Sequence, residues 1–374
     1  MAVFTSVCLS YSLKPTNNES LRMKQKKIHV CLLLLLPIFF LSCAKLPISE
    51  VKYSEYKKIA VGSGPEDMVL DTFSASIPRL LVSCNERRIK NSDFGEIYSV
   101  DLQNEKAEIL PRKNNPVDLA FRPHGIDLVK NISGEILLYC VSHNEKKKEH
   151  SIIIYKIFPD RLEFQQKLDS PLLVSPNDVA ATSSGEFFVT NDSGKRGSKT
   201  EPMLKLKRSN VVMYVENNYF KNPNDGEWKK NPVWQIAADK LSYANGVVAG
   251  SYRQIYVSTV TGNQLLSYTQ NEKGNNFGEK KVIAKLKGLD NISFVNENEI
   301  LVTSHPSLYK FLKHFKNSKK KSPSVVYKVN LKTGEVKNIF SDDGSQISGA
   351  STAVSYNGKL YISQVFEPFL LECR

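Results

Sequence analysis

Six short segments of this chain share one pattern, in which a polar residue and a small or polar residue precede an apolar run of β type. The segments begin at Glu66, His124, Asn177, Asn245, Asp290 and Ser351, at intervals of 45 to 68 residues. Five of the six begin with a carboxylate, amide or imidazole side chain, and these groups bind metal ions or transfer protons. A repeat that delivers one such residue per unit to a common centre can build a calcium site.

Calcium binds oxygen ligands from carboxylates, amides, carbonyls and water. Glu66, Asn177, Asn245, Asp290 and Asn291 offer two carboxylates and three neutral amides, which balance a divalent charge. An ion held in this way stays able to polarise a substrate carbonyl. The five residues are therefore the predicted ligands of a catalytic calcium ion.

A second, deeper calcium ion is predicted from two further aspartates. Asp67 and Asp178 directly follow two of the predicted ligands. Because neighbouring side chains on a strand point to opposite faces, these carboxylates are expected to point away from the first ion and to hold another.

Two histidines are candidates for acid–base chemistry. His124 opens the second segment, and His143 ends the β-run that follows it. The pair could supply a general base with an orienting partner, or it could be a hydrogen-bonded pair at the rim without a catalytic role. His305 is expected at the same rim, whereas His150 is not. The sequence has no Gly-Xaa-Ser-Xaa-Gly, Walker or His-Glu-Xaa-Xaa-His motif, so serine-hydrolase and zinc-peptidase chemistry has no support.

The repeats predict an all-β fold, a six-bladed β-propeller with calcium in its central channel. Each starting segment is followed by further β-runs, and no long stretch has a helical period. The first strand of each blade would line the channel, and residues 369–371 would pair with a strand near residues 56–61 to close the ring. A β-sandwich is the alternative. The basic segment 192–245 is expected to be an exposed insertion, either a lid or membrane-contacting loop or a disordered one.

The N-terminal region predicts a leader over residues 1–42, a tether over 43–54 and the propeller over 55–374. Three lysines precede the apolar run at 30–41, and Met23 is a more natural start than Met1. Cys43 follows Leu41-Ser42 as in a lipoprotein signal, which predicts lipidation of Cys43 and a membrane-anchored protein of the bacterial cell envelope. A secreted protein that retains Cys43 is the alternative.

Charge and cysteine content exclude several other classes. The net charge is +13, but the basic residues are scattered, so we expect no nucleic-acid partner. Outside the leader region only Cys84, Cys140 and Cys373 remain, without Cys-Xaa-Xaa-Cys spacing, so a zinc or iron–sulfur site is not indicated.

From about Gly62 to Cys373 the sequence resembles the paraoxonase/arylesterase family of calcium-dependent lactonases with a six-bladed propeller. The motifs that carry the resemblance are Gly64-Pro65-Glu66-Asp67, Pro123-His124-Gly125-Ile126, Val141-Ser142-His143, Pro176-Asn177-Asp178-Val179, Thr190-Asn191-Asp192, Ala244-Asn245-Gly246, Leu289-Asp290-Asn291-Ile292-Ser293 and Ser304-His305-Pro306.

The resemblance implies the same five ligands for the catalytic calcium. It also implies a structural calcium bound by Asp67, Asp178 and the backbone carbonyl of Ile126, a water-activating dyad of His124 and His143, and a pocket lined by Asp192 and His305. A cysteine near the N-terminus pairs with one near the C-terminus in the animal enzymes. Cys373 matches the second of these, but the region around Ser54 and Glu55 offers no partner, so ring closure is expected to rest on strand pairing.

The sequence therefore predicts a hydrolase that uses two calcium ions to cleave small lactones and aryl esters. Two alternatives stay open. One is a non-catalytic propeller lipoprotein that binds a ligand or protein, and the other is a sugar lactonase of the regucalcin type with a single metal ion.

Overall fold

Six sheets, antiparallel apart from one short parallel pair in the second, dominate the part of the chain that the computed structural model describes. The described residues are 46–89, 92–144, 147–216, 219–221, 227–251, 253–271, 277–278 and 280–374. The predicted leader and the proposed lipidation site Cys43 lie outside these residues. Each sheet is one blade of a six-bladed β-propeller, so the predicted fold class is confirmed.

The blades follow one another along the chain. The first blade comprises β2 (Pro65–Asp71), β3 (Arg79–Asn85), β4 (Gly95–Asp101) and β5 (Ala107–Ile109), after β1 (Tyr56–Ala60). The second comprises β6 (Arg112–Lys113), β7 (Pro123–Lys130), β8 (Ile136–Asn144), β9 (Glu149–Ile157) and β10 (Leu162–Asp169). The third contains β11 (Pro176–Ala181), β12 (Phe187–Asn191), β13 (Ser209–Val215) and β16 (Val233–Leu241), with helix α1 (Thr200–Met203) and the hairpin of β14 (Tyr219–Lys221) and β15 (Trp228–Lys230) between its strands.

The second half repeats this order. The fourth blade comprises β17 (Ala244–Ala249), β18 (Gln254–Thr259), β19 (Gln264–Thr269) and β20 (Lys281–Ala284). The fifth comprises β21 (Leu289–Asn296), β22 (Glu299–Ser304), β23 (Ser324–Asn330) and β24 (Val336–Asp342), with helix α2 (Leu308–Lys316) after β22. The sixth comprises β25 (Ala350–Tyr356), β26 (Lys359–Gln364), β27 (Phe369–Cys373) and β1.

The ring closes by strand pairing, as predicted. Tyr56 of β1 lies opposite Cys373 of β27, and Ala60 lies opposite Phe369. Ile59 is the only side chain of β1 that is buried, and it packs in a cluster with Leu370. Within the described residues Cys84, Cys140 and Cys373 are buried free thiols, so no disulfide among them supports this closure.

The core lies between neighbouring blades. Leu81 and Ile97 of the first blade share one cluster with Ile126, Leu138 and Tyr155 of the second. Such clusters form because one face of each sheet packs on the next blade, which alternating apolar residues on the strands permit. The innermost strands of successive blades contact each other around the ring.

A β-bulge interrupts the start of every innermost strand. In β2 the register shifts between Pro65 and Asp67, and the other five innermost strands shift at the corresponding position. A bulge breaks the strict alternation of side chains and re-aims those beside it. Each bulge coincides with the start of one of the six sequence segments, so all six present their polar residues at the same place.

Hydroxyl groups opposite five of the bulges connect adjacent blades. Ser83 Oγ donates to the carbonyl of His124 at 2.5 Å, and Ser363 Oγ donates to that of Glu66 at 3.0 Å. Equivalent bonds run from Thr190, Ser258 and Thr303 to the carbonyls of Asn245, Asp290 and Ser351. In the second blade this position is Val141. The hydroxyls fix the spacing of the innermost strands and therefore the size of the channel.

Two glycines permit the close approach of those strands. A Cβ atom at Gly125 would lie 2.4 Å from the Cα of Asp178, and one at Gly246 would lie 2.7 Å from the backbone nitrogen of Ile292. These distances are shorter than van der Waals contact, so a side chain at either position would force the inner strands apart.

Segment 192–245 is not a single insertion, because it contributes β13 and β16 to the third blade. The sequence also missed α2, whose Ser307 side chain accepts a hydrogen bond from the backbone nitrogen of Lys310 and caps the helix. Across the described ranges, no helix has the length and apolar character needed to cross a bilayer.

Candidate metal centre and histidine cluster

Four buried oxygen atoms at the bulges have no hydrogen-bond donor within the described residues. They are Glu66 Oε2, Asn177 Oδ1, Asn245 Oδ1 and Asn291 Oδ1. They come from four blades and belong to four of the five predicted ligands of the catalytic calcium. A buried oxygen without a partner is costly, and a bound cation would remove that cost. The donor chemistry and the orphaned atoms therefore fit calcium.

Glu66 lies at the centre of the contacts that join these ligands. Its Oε1 accepts from Asn291 Nδ2 at 3.3 Å and from Ser351 Oγ at 3.1 Å. His124 Nε2 lies 3.4 Å from the same oxygen. Burial opposes ionisation, but His124, Arg87 and Ser351 outweigh it and lower the pKa of Glu66 to about 2. The side chain is thus an anion at neutral pH, which is the form in which a carboxylate binds a cation.

Asp290, the fifth predicted ligand, is held by a histidine. His305 Nε2 lies 2.7 Å from Asp290 Oδ2, and both side chains are buried. The His305 ring packs on Phe311 of α2, with ring centroids 4.3 Å apart. His305 is therefore in place to orient Asp290. The bulge in β21 falls at Asp290 and Asn291, so these two neighbours in sequence can both act as ligands of the candidate metal centre.

The predicted second site is built by bonds between blades. Asp67 Oδ2 accepts from the backbone nitrogen of Ile126 at 2.7 Å, and its Oδ1 accepts from Thr352 Oγ1 at 2.7 Å. Asp178 Oδ2 accepts in the same way from Val247 at 2.8 Å. The backbone N–H of Ile126 is thus bound to Asp67, while the resemblance concerned its carbonyl.

The two aspartates lie in conditions that disfavour their charge. Burial and then the nearby charge of Glu66 raise the pKa of Asp67 to about 8. Burial and then Asp67 raise the pKa of Asp178 well above its usual range. Two buried carboxylates that interact in this way suit a second cation, which would stabilise their charged forms.

The described ranges, with the candidate centre included, hold no set of three or more His, Cys, Asp or Glu side chains arranged for a metal ion. Three of the five predicted ligands of the catalytic calcium are asparagines, so the candidate centre relies on amide oxygens in addition to carboxylates.

The predicted histidine pair is present, and a third histidine extends it. His124 Nδ1 lies 2.8 Å from His143 Nε2, and His143 Nδ1 lies 2.9 Å from His150 Nδ1. All three rings are buried. The expectation that His150 has no place near the pair is wrong, because the β8–β9 register sets His150 directly opposite His143.

Two further side chains at the site were missed from the sequence. Arg87 follows β3, and its Nη2 lies 3.7 Å from Glu66 Oε2; its Nε and Nη2 are buried and have no hydrogen-bond acceptor among the described residues. Tyr243 lies two residues before Asn245 and has a left-handed backbone conformation (φ 58°). The nearby charge of Asp192, and then burial, raise the pKa of Tyr243. Neither residue belongs to a repeated motif, so no sequence pattern marks it.

Asp192, predicted to line the pocket, accepts hydrogen bonds from Ser175 at 2.6 Å and from Ser193 at 2.8 Å. A cavity of about 510 Å³ lies between the first and second blades, and its lining includes Glu96, Arg112, Phe121, Arg122, His143 and Lys147. Asp192 and His305 do not line this cavity. His143 is the residue of the histidine cluster that lines it.

Comparison with known proteins shows the family of the chain. The arylesterase family model matches residues 72–373, which is most of the chain. The chain belongs to the arylesterase family. Glu66 and Asp67 lie just before the matched residues.

Curated relatives of the family cover about three quarters of the chain. Human serum paraoxonase/arylesterase 2 is 25% identical over 277 residues, which cover 73% of this chain and 75% of that protein. Human serum paraoxonase/lactonase 3 is 26% identical over 288 residues, which cover 74% and 76%.

Solved propellers share the fold at lower identity. A gluconolactonase from Xanthomonas campestris superposes with a TM-score of 0.51 at 13% identity and covers 85% of this chain and 88% of that one. The calcium-binding protein regucalcin from Agrobacterium tumefaciens has a TM-score of 0.51 at 12% identity, with 87% and 95% covered. At these identities the likeness is one of fold.

Proposed function

We propose that this arylesterase-family protein is a calcium-dependent hydrolase of lactones and aryl esters. Its family membership supports a hydrolase of the lactonase or esterase type. The observation that carries the calcium requirement is the set of four orphaned oxygens on Glu66, Asn177, Asn245 and Asn291. A bound calcium ion would polarise the ester carbonyl and stabilise the oxyanion that forms.

The residues of the chain would supply the remaining chemistry. His124 is buried beside Glu66, where it can take a proton from an attacking water at Nε2. His143 contacts the other ring nitrogen of His124 and would orient it. His305 would hold Asp290 in place, and Arg87 offers donors that suit the carboxylate product.

The experiment is hydrolysis of phenyl acetate and of a simple aliphatic lactone by the purified protein, with calcium and after chelation. We expect turnover only with calcium. Glu66→Gln and Asp290→Asn should each lower turnover by roughly 10²–10³-fold, the usual cost of losing an oxyanion stabiliser. Glu108→Gln, the same change at an exposed residue, is the matched control. Wild-type rates in Glu66→Gln or Asp290→Asn at saturating calcium would refute the assignment of these residues as ligands of a catalytic calcium.

The two other functions give different results in the same assays. A binding propeller would be folded and calcium-loaded but would not turn over either substrate, and its function would not change with His124→Gln. A single-metal sugar lactonase would bind one ion per chain. The buried, interacting carboxylates of Asp67 and Asp178 favour two ions, which elemental analysis of the calcium-loaded protein would count.

We also propose that the protein is lipid-anchored in a bacterial envelope through Cys43, which lies outside the described residues. The lipoprotein-like sequence before Cys43 supports this localisation. Cys43→Ser should move the protein from the membrane fraction to the soluble fraction and abolish incorporation of a labelled fatty acid. An unchanged distribution would contradict the anchor.

A further inference from the structure

Helix α2 has too few residues to be stable on its own. It is nine residues long, and a helix of that length is marginal in water without contacts outside itself. Of its nine side chains, all within the described residues, only His314 is buried, and Phe311 is partly buried. Tyr309, Leu312 and Phe315 are exposed. The helix therefore depends on what its one inner side contacts.

Arg88 binds the last turn of α2 from a different blade. It lies in the connection between β3 and β4 of the first blade. Its Nη2 donates to the carbonyl of His314 at 3.0 Å, and its Nε donates to the carbonyl of Phe315 at 3.3 Å. The last carbonyls of a helix lack partners inside the helix and carry the negative end of its dipole, so a guanidinium suits both needs. Arg88 thus caps α2.

The same guanidinium joins α2 to the sixth blade. Its Nη1 donates to Glu367 Oε1 at 2.7 Å, and it lies over the buried Phe366 ring at 4.2 Å from the centroid. His314 Nε2 lies 3.1 Å from Glu367 Oε2. Burial opposes ionisation of Glu367, but His314 and Arg88 outweigh it and lower its pKa. A charged pair between Arg88 and Glu367 therefore fastens α2 across three blades.

The inner side of α2 continues to the candidate metal centre. Phe311 and His314 are three residues apart, so they lie on the same side of the helix. The Phe311 ring packs on Phe366, with centroids 5.6 Å apart, and on His305 at 4.3 Å. His305 in turn contacts Asp290 at 2.7 Å. Side chains in direct contact thus connect the anchored helix to a predicted calcium ligand.

We propose that Arg88 is a positioning residue, which fastens α2 to the rim and so keeps Phe311 against His305. The preceding Arg87 lies beside Glu66, whereas the contacts of Arg88 are with α2 and the sixth blade. The Arg88 side chain is 25% exposed, so its replacement should leave the core of the propeller intact. The effect on rate rests on the hydrolase function proposed above, but the anchoring of α2 does not.

Hydrogen exchange followed by mass spectrometry tests the anchoring without need of activity. In Arg88→Gln the amides of residues 308–316 should exchange at least about tenfold faster than in wild type, since a hydrogen bond from a charged group is usually worth about that factor. The strands of the blades should exchange as in wild type. Unchanged exchange of α2, or equally faster exchange in every blade, would overturn the proposal.

Arg161→Gln is the matched control. Arg161 also binds two carboxylates, those of Asp160 and Glu163, and lies over the Phe158 ring at 4.2 Å, but it does so between β9 and β10. The same substitution there removes equivalent contacts without touching α2. It should leave the exchange of α2 at the wild-type rate, and faster exchange of α2 in this control would overturn a specific role for Arg88.

Steady-state kinetics of the calcium-loaded, full-length protein test the positioning. In Arg88→Gln, kcat for phenyl acetate should fall by roughly tenfold, the lower end of the usual cost of losing a group that orients a ligand, while KM changes little. Arg88→Lys retains the charge beside Glu367 and should recover part of kcat and of the slow exchange. A wild-type kcat in Arg88→Gln would overturn the proposal. Faster exchange of α2 in a protein that hydrolyses neither substrate would support the anchoring and reject the hydrolase function.

Discussion

Removing calcium should lower the unfolding temperature by an amount that follows from the structure. At the bulges, the described part of the folded protein buries four oxygens without donors, and it also buries the carboxylates of Glu66, Asp67, Asp178 and Asp290, so the ions should bind only the folded state. At 100 times its Kd, one such ligand stabilises the fold by about 2.7 kcal/mol. An unfolding entropy of about 2.1 cal/mol/K per residue gives roughly 0.7 kcal/mol/K for the ~330 residues of Lys45–Arg374. Each ion should then raise Tm by about 4 °C, and two ions by about 8 °C.

Scanning calorimetry with calcium and with a chelator would measure this shift. Glu66→Gln removes one of the two charged ligands of the first site but leaves Asp67 and Asp178, so about half of the shift should remain. Glu108→Gln should keep all of it. The same Tm for the wild-type protein with and without calcium would refute the reasoning, and so would a full shift in Glu66→Gln.

Three further predictions concern the scaffold. Ile59→Ala should lower the free energy of unfolding in urea by about 2–5 kcal/mol, because Ile59 is the buried residue of the closing strand. Lys57→Ala on the same strand should lower it by less than about 1 kcal/mol. Equal losses would contradict the pairing of β1 with β27. Burial opposes ionisation of Asp71, but hydrogen bonds from its neighbours outweigh burial and lower the pKa of Asp71. The contribution of Asp71 to the free energy of unfolding is therefore complete above its unfolded pKa and is lost as pH falls through its folded pKa. Asp71→Asn should therefore make stability less sensitive to acid in that range, and an unchanged profile of unfolding free energy against pH would count against this. Ser258→Ala should cost about 1–3 kcal/mol, because two buried backbone groups lose their partner, and an unfolding free energy equal to wild type would exclude that role.

The repeat phase of the sequence predicted the propeller, its closing strand and the position of the six polar segments at the starts of the innermost strands. This worked because a propeller uses the same strand position in every blade. The second-strand hydroxyls, such as Ser83 and Thr190, recur in five blades at a fixed place and could have been found by the same reasoning. Val141 interrupts that series in the blade that carries His124 and His143.

The features that the sequence did not predict depend on register and on single contacts. His150 meets His143 because the β8–β9 pairing sets them opposite each other, and the sequence shows the two runs without their register. The bulge that lets Asp290 and Asn291 both act as ligands of the candidate metal centre is a local departure from the alternation of side chains along a strand. Arg87 belongs to no repeat. The nine residues of α2 are too few to give a clear helical period between two strong β-runs.

The closing strand has a topological consequence. The backbone nitrogen of Arg374 donates to the carbonyl of Glu55, and that of Ser54 donates to the carbonyl of Arg374, so the two ends of the propeller chain are hydrogen-bonded neighbours. The propeller is therefore close to a circular polypeptide that happens to be open inside its sixth blade. A short linker between the ends, with a new opening in an exposed turn such as residues 132–134, should give a circular permutant that keeps every blade and the channel intact.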